Sequence, residues 1–205
     1  MKKILMVLAL SQVCAPLFAA VGCDLNDPDR DLARLFPGYT NYRTRYVSVK
    51  DAGGQPMLER IERRLGDKFH GLYETIEVPY TLYDIYKGTE TVGYVHGVNQ
   101  KGEYGGIQVF LALDPKGVIK SFYIQKLTSR AGKDLRSKAF GAQFTGLSLK
   151  DFAGYDPAAG KAAAGSPAAG IKAPAKAGRD FQAVLRAVKK NLILMDELVF
   201  SKRDK

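Results

Sequence analysis

The chain has 205 residues, 46% of them hydrophobic and 25% charged, with 31 Lys plus Arg against 21 Asp plus Glu and a formal net charge of +10. That length admits one domain with appendages, and the composition is too apolar for a disordered chain and too polar for a multi-span membrane protein. The positive balance points toward an acidic partner, a membrane surface or nucleic acid, and says nothing of the fold.

Lys2 and Lys3 precede an apolar run from Ile4 to Leu10, and Pro16 precedes small residues. This is the layout of a secretory signal peptide. Ser11, Gln12 and Pro16 interrupt the run well short of the ~20 apolar residues a membrane span needs. The segment ends in Ala20-Val21-Gly22-Cys23, which resembles a bacterial lipobox with Ala20 in place of the usual Leu. The resemblance implies a signal peptide over residues 1–22, cleavage before Cys23, acylation of its thiol and a periplasmic, lipid-anchored protein. Several acyl tails are enough for stable anchoring. Asp24 behind the cysteine implies retention in the inner membrane where that sorting rule holds. The alternative is cleavage after Ala20, which leaves Cys23 as a free thiol in an oxidising compartment. On the lipoprotein reading Cys14 leaves with the signal and Cys23 is consumed by lipid. No thiol then remains for a disulfide, a thiolate nucleophile or a metal, and C-x-x-C-H is absent, so no c-type haem is attached by that chemistry. Export also argues against a nucleic-acid partner.

Residues 24–29 read as a polar tether, within a segment over 23–79 that precedes the main domain. Asp27-Pro28 is a cap followed by proline at the first helical position. Leu32, Leu35 and Phe36 share a face, and Pro37-Gly38 ends that helix. Tyr42 to Val49 is rich in β-formers and predicts a strand, and Asp51 to Gly54 a turn. Met57, Leu58, Ile61 and Leu65 recur at helical spacing with Gly66 as stop. Thr81 to Tyr86 and Thr91 to His96 flank Lys87-Gly88-Thr89-Glu90, a hairpin. Ile107 to Leu113 and Val118 to Ile124 flank Asp114 to Gly117, a second one, whose largely apolar strands predict a central place in the sheet. Gly102, Gly105 and Gly106 mark a loop where backbone can come close to something. Lys126 to Lys138 carries five basic residues and one acid, Asp134. Phe140, Phe144 and Leu147 suggest a short helix and turn, and Ser148 to Phe152 one more helical turn. Of the 23 residues from Asp156 to Gly178, ten are Ala, four Gly, three Pro and three Lys, a composition that predicts a semi-flexible linker or long surface loop. Phe181, Val184, Leu185, Val188, Leu192, Met195 and Val199 then define an amphipathic helix packed on the sheet, before a tail over 199–205.

Several of these segments, in their order, resemble the FMN-binding domain family. That family includes the flavin-carrying periplasmic subunits of Rnf-type and sodium-pumping NADH:quinone reductase complexes. The resemblance rests on Tyr83-Asp84-Ile85-Tyr86-Lys87 with Gly93-Tyr94-Val95, on Tyr104-Gly105-Gly106-Ile107, and on Ala112 to Ile119. Phe140 with Gln143-Phe144-Thr145-Gly146 and Ala187-Val188-Lys189-Lys190 extend it, so that it covers roughly residues 80–198. It implies an α+β fold, a twisted antiparallel sheet flanked by helices, and a part in electron transfer. The protein would be a carrier or accessory subunit more than a stand-alone enzyme. Mapped onto this chain, Tyr104, Gly105, Gly106, Thr128, Ser129, Arg130 and Lys133 become the candidate FMN site, with the basic loop from Lys126 pairing with the phosphate. The chain departs from the family twice. Its loop reads Lys126-Leu127-Thr128-Ser129-Arg130-Ala131-Gly132 where members carry H-x-E-T-P-G. The D-x-x-S-G-A-T-like attachment motif is matched only by Asp156 to Ala162, and Ala162 has no hydroxyl to esterify. Any FMN is therefore expected to be held without a covalent link. The alternative is a flavin-free interaction or assembly module whose basic loop docks an acidic redox partner, such as a cytochrome or a membrane complex.

The remaining chemistry is sparse. His70 and His96 are the only histidines, too few and too isolated for a metal site, and His96 reads as the exposed end of a strand. No G-x-S-x-G, H-E-x-x-H or P-loop occurs. Positive charge concentrates in Lys126 to Lys138 and the C-terminal stretch.

Overall fold

A computed structural model describes residues 23–69 and 75–202. The signal-peptide segment, His70 and the end of the tail lie outside the described residues. The chain runs α1 (Pro28–Leu35), β1 (Asn41–Val47), α2 (Val49–Leu65), β2 (Tyr80–Lys87), β3 (Glu90–Lys101), β4 (Gly106–Leu113), β5 (Ile119–Lys126), α3 (Gly132–Leu135), α4 (Lys138–Ala142), β6 (Tyr155–Asp156), β7 (Lys161–Ala162) and α5 (Gly178–Leu198). Strands β1 to β5 form one antiparallel sheet in sequence order, the α+β arrangement expected.

Local chemistry places most of these elements. Asp27 caps α1 by accepting from the Arg30 amide at 3.2 Å, with Pro28 at the first position. Ser48 caps α2 in the same way, accepting from the Asp51 amide at 3.0 Å. The expected turn at 51–54 is instead the first turn of α2, and the break falls at Gly54, whose φ of +57° and ψ of −146° interrupt the helix before Pro56. Gly66 stops α2 in the left-handed conformation, φ +74°. Asp114 organises the β4–β5 turn, its Oδ1 accepting from the amides of Lys116 at 2.8 Å and Val118 at 2.9 Å.

The sheet has a core on each face. The larger holds Leu82, Val98, Val109 and Leu111 from the strands against Ile61 and Leu65 of α2, Val184, Val188, Leu192 and Met195 of α5, and Phe140 and Phe144. The smaller holds Tyr83, Ile85, Val95, Phe110 and Ala112 under Cys23, Leu25 and the Leu32–Leu35 face of α1.

Three expectations change. The second hairpin is not central throughout: β5 is an edge strand, and the apolar faces of Phe122 and Ile124 are covered by the α3–α4 segment instead of by another strand. Of the two expectations for residues 156–178 the surface loop fits, but it is packed down and not free of the core: β6 and β7 pair, and Ala168, Ile171 and Ala177 reach the larger core. The terminal helix α5 is buried nearly all round, not on one stripe; Arg186, Lys189, Lys190 and Asn191 are all within the molecule.

Candidate functional site

The expected site residues gather at one end of the sheet, where the β3–β4 and β5–α3 loops meet. A Cβ built on Gly105 would lie 3.5 Å from Thr128, and the Arg130 guanidinium stands 5.3 Å from the Tyr104 ring centre. Tyr104, Thr128, Arg130 and Lys133 are exposed. Ser129 turns inward on its own loop, its Oγ accepting from the Ala131 amide at 3.2 Å, and Gly106 is already in the β4 ladder opposite Lys101. The glycine signal has a structural source. Gly105 O accepts from the Gly102 amide at 2.8 Å. At Gly102 a Cβ would come within 2.7 Å of Asp180 Oδ1 and Ile107 Cδ1. The close neighbour is thus the chain itself, with Asp180 also accepting from the Glu103 amide at 2.7 Å.

A groove opens beside this end, along the outer edge of β5. It encloses about 440 Å³ between Arg34 of α1, Ser121 to Ile124 of β5, and Arg136 to Lys138 with Gly141, Ala142 and Thr145. No carboxylate is among its lining residues. Each cation is placed by a definite contact or by the fold. The Arg34 guanidinium lies 3.9 Å over the Tyr123 ring and 3.3 Å from Asp31. Arg136 donates at 3.3 Å to the carbonyls of Ile124 and Gln125, two backbone acceptors at the sheet's edge. Lys138 opens α4 behind Ser137, whose Oγ accepts from the Phe140 amide at 3.1 Å. Phe122 lies parallel to Phe144 at 4.4 Å and forms the floor. Such a surface offers hydroxyl donors, cations and aromatic rings to a planar ligand carrying an anionic group.

None of the seven residues expected to hold FMN lines this groove; of the basic run only Arg136 and Lys138 reach it, joined by Gly141, Ala142 and Thr145. Arg34, Ser121 and Tyr123 were missed. They come from α1 and from the outward side of an edge strand, and no local pattern joins them. A larger opening of about 650 Å³ is lined by Asp67, Gln100, Lys101, Gly102, Glu103, Arg179 and Arg186. It is of mixed sign, and Arg186 is committed to Asp67 Oδ2 at 2.8 Å and Gln100 Oε1 at 2.6 Å.

Inside the molecule α5 carries a polar seam against β3 and β6 that no local pattern in the sequence shows. Lys190 Nζ donates to Asn99 O at 2.5 Å, Lys189 Nζ to Tyr155 O at 2.6 Å, and Asn191 Nδ2 to His96 O at 2.9 Å. His96 is wholly buried, not exposed at a strand end. Burial, helped by the nearby Lys190 charge, brings its pKa down to about 4. The positive charge of the C-terminal stretch is accordingly not a surface feature at Lys189 and Lys190, whose carbonyl partners take the place of water.

The attachment-like motif is occupied structurally. Asp156 Oδ1 accepts from the amides of Ala158 at 2.8 Å and Ala159 at 3.2 Å and shapes the β6–β7 turn. Residues 23–26 are not a loose tether. Gln125 grips them at both ends, donating to Asp24 O at 2.9 Å and accepting from the Asn26 amide at 2.9 Å. Tyr83 Oη donates to the Asp24 carboxylate and accepts from the Leu25 amide at 3.2 Å. Burial and then this carboxylate push the Tyr83 phenol well above its usual range, and burial pushes the Cys23 thiol up to about 12. Among the described residues no group of three or more His, Cys, Asp or Glu could hold a metal, and no helix is long and apolar enough to cross a membrane. No protein-family model matches the chain, and no curated protein matches it.

Proposed function

We propose that this chain is an extracytoplasmic lipoprotein of electron transfer whose β5 groove takes up FMN without a covalent link. One observation carries the reading: three cations and two aromatic rings line an acid-free groove of about 440 Å³ beside the sheet edge. Its composition suits an isoalloxazine at the β5 edge on the Phe122 side and a phosphate near Arg136 and Lys138, with Tyr123 lying under Arg34 on the other face of the strand. Bound there, the flavin would supply the redox chemistry, and the protein would bind it, shield it and set its electrostatics. Arg136 and Ser137 would orient the ligand, since both are already fixed by backbone contacts. The proposed site moves from the Tyr104 cluster to the groove because the groove encloses about 440 Å³ beside three cations. Covalent attachment is not part of the proposal, since Ala162 offers no hydroxyl.

Acylation of Cys23 completes the proposal. A thiol buried this deeply and held protonated is a poor nucleophile once folded, so modification belongs to the chain before it folds. The second reading, a flavin-free module that docks an acidic segment of a redox partner in the same groove, is favoured by the missing attachment hydroxyl.

The visible spectrum of the purified protein, before and after addition of FMN, tests the first reading. Expected is uptake of FMN that is released on denaturation and weakened at least tenfold by Arg136→Ala. A colourless protein that takes up no FMN overturns it, and flavin surviving denaturation overturns the claim against a covalent link. Cys23→Ser is expected to release the protein into the soluble fraction.

A further inference from the structure

We propose that the end of the sheet carrying the β3–β4 and β5–α3 loops seats on the surface of an anionic phospholipid membrane, with Tyr104 and Arg130 at headgroup level. The proposal rests on the lipidation of Cys23 for its geometry, and on a surface of its own for its chemistry.

The geometry follows from the clamp on residues 23–26. A long tether would let an anchored domain tumble, and its orientation would then carry no information. Here the first three residues behind the anchor, Asp24, Leu25 and Asn26, are fixed by Gln125 and Tyr83, Leu25 is buried at 4% exposure, and α1 begins at Pro28. Gln125 is the next-to-last residue of β5, and its amide also donates to Gln108 at 3.2 Å, near the start of β4. Cys23 itself is buried in the smaller core, so its acylated side chain must leave that seat; with Asp24 and Asn26 still held by Gln125, the lipid would emerge beside the end where β5 finishes and β4 begins. That end, and not the opposite one with the Lys87–Glu90 and Asp114–Gly117 turns, is brought to the bilayer.

The surface there matches. Only two large hydrophobic side chains are exposed among the described residues, Tyr46 at 59% and Tyr104 at 43%. Both sit at this end: Tyr46 pairs with Thr81, the second residue of β2, and Tyr104 lies in the β3–β4 loop. Exposed Lys101, Lys126, Arg130 and Lys133 lie in or next to the same two loops, with Glu103 and Asp134 as exposed acids among them. Tyrosine and long cationic side chains are the residues that settle at a membrane interface, the ring among the headgroups and the cations on lipid phosphates. Arg130 over the Tyr104 ring presents both together.

The sequence contains no tryptophan, so one introduced Trp is a clean reporter. The full-length acylated protein carrying Tyr104→Trp, reconstituted into phosphatidylglycerol/phosphatidylcholine vesicles with brominated acyl chains, should show blue-shifted emission and strong quenching. Lys116→Trp, in the turn at the opposite end, should show neither. Equal quenching at both positions, or more at 116, overturns the orientation. The mature chain from residue 23 with Cys23→Ser, free of the signal segment, separates this surface from the anchor. It should still sediment with phosphatidylglycerol vesicles at low salt but not with phosphatidylcholine vesicles, and Arg130→Gln with Lys133→Gln should weaken that binding at least fivefold. No binding to phosphatidylglycerol overturns the surface even if mass spectrometry shows Cys23 acylated. An unacylated Cys23 with intact, charge-dependent vesicle binding overturns the anchor alone.

Discussion

Asn191 holds His96 by both its backbone and its ring. Its Nδ2 donates to His96 O at 2.9 Å and reaches Val109 O at 3.4 Å, while its Oδ1 lies 2.9 Å from His96 Nδ1. With the amide oriented by two carbonyls, Nδ1 must carry the ring hydrogen, and Nε2, which has no partner among the described residues, is left bare. The fold thus selects neutral imidazole, between the Tyr80 ring at 5.4 Å and the charge of Lys190.

Acid should therefore weaken the protein through this residue. With the folded pKa at about 4 against 6.5 for a free histidine, the unfolded chain binds a proton between those values that the folded chain refuses. The contribution is fully present above pH 6.5 and is lost as pH falls toward 4, by ~3 kcal/mol in all. Urea midpoints at several pH values across this window should drop in the wild type, and the drop should be clearly smaller in His96→Gln. Parallel profiles for the two proteins would contradict this.

Asp84 gives a second, asymmetric prediction. Its carboxylate is 2% exposed and is met by Arg43 at 2.8 Å and Arg45 at 2.7 Å. Burial alone would raise its pKa, but the two guanidinium groups prevail and hold it below the usual carboxylate range. The arginine side chains are 64% and 32% exposed, so they can regain water if the acid is removed, and Asp84→Asn should cost only ~1 kcal/mol. Removing both arginines strands a buried charge and should cost ~3–5 kcal/mol. In that double variant the deficit relative to the wild type should shrink on acidification as the carboxylate is protonated. Chemical denaturation at pH 7 and near pH 4 reads both effects.

What the sequence revealed and what it hid divide along chain separation. Asp27-Pro28, Gly66, Gly88 and Asp114 each act within a few residues, and the caps and turns they form could be read directly, whereas the cap at Ser48 is hidden in a run of β-formers that predicts strand to Val49. Asn191 and His96 are 95 residues apart and Gln125 and Asp24 are 101 apart. Nothing local shows that the amide is buried or that residues 23–26 are docked. Lys189 and Lys190 look solvated in any window, because only the backbone carbonyls of Tyr155 and Asn99 make their burial tolerable. The groove shows the same split: Arg136 and Lys138 stand in a visible basic run, whereas Arg34 reaches it from α1 through the Tyr123 ring.

Two strand glycines should respond differently to alanine. At Gly97 the three atoms nearest to a Cβ all belong to the Phe110 ring, at 2.4 to 2.7 Å, whereas at Gly93 it would meet the Leu113 carbonyl at 2.3 Å as well as the Phe36 ring at 2.4 Å. Each single substitution should cost ~1–3 kcal/mol from overpacking. A smaller residue at 110 opens room, so most of the Gly97→Ala cost should vanish in a Phe110→Leu background. Phe36→Leu should relieve Gly93→Ala only in part, because the β4 backbone cannot withdraw. A double-mutant cycle on thermal unfolding separates the cases.

Arg186 shows that shape outweighs charge in the polar seam. Its Nε donates to Asp67 at 2.8 Å, Nη1 to Gln100 at 2.6 Å and Nη2 to Lys68 O at 2.9 Å, joining the end of α2 to β3 from a side chain only 10% exposed. A planar fork serves three acceptors in three directions, and an ammonium group on a flexible stem cannot. Arg186→Lys keeps the charge, yet it should lose ~2–3 kcal/mol, nearly as much as Arg186→Met. Because the ion pair is largely shielded from solvent, the loss should be the same at low and high salt. If lysine restored most of the stability at low salt and not at high salt, the charge rather than the fork would be the stabilising element.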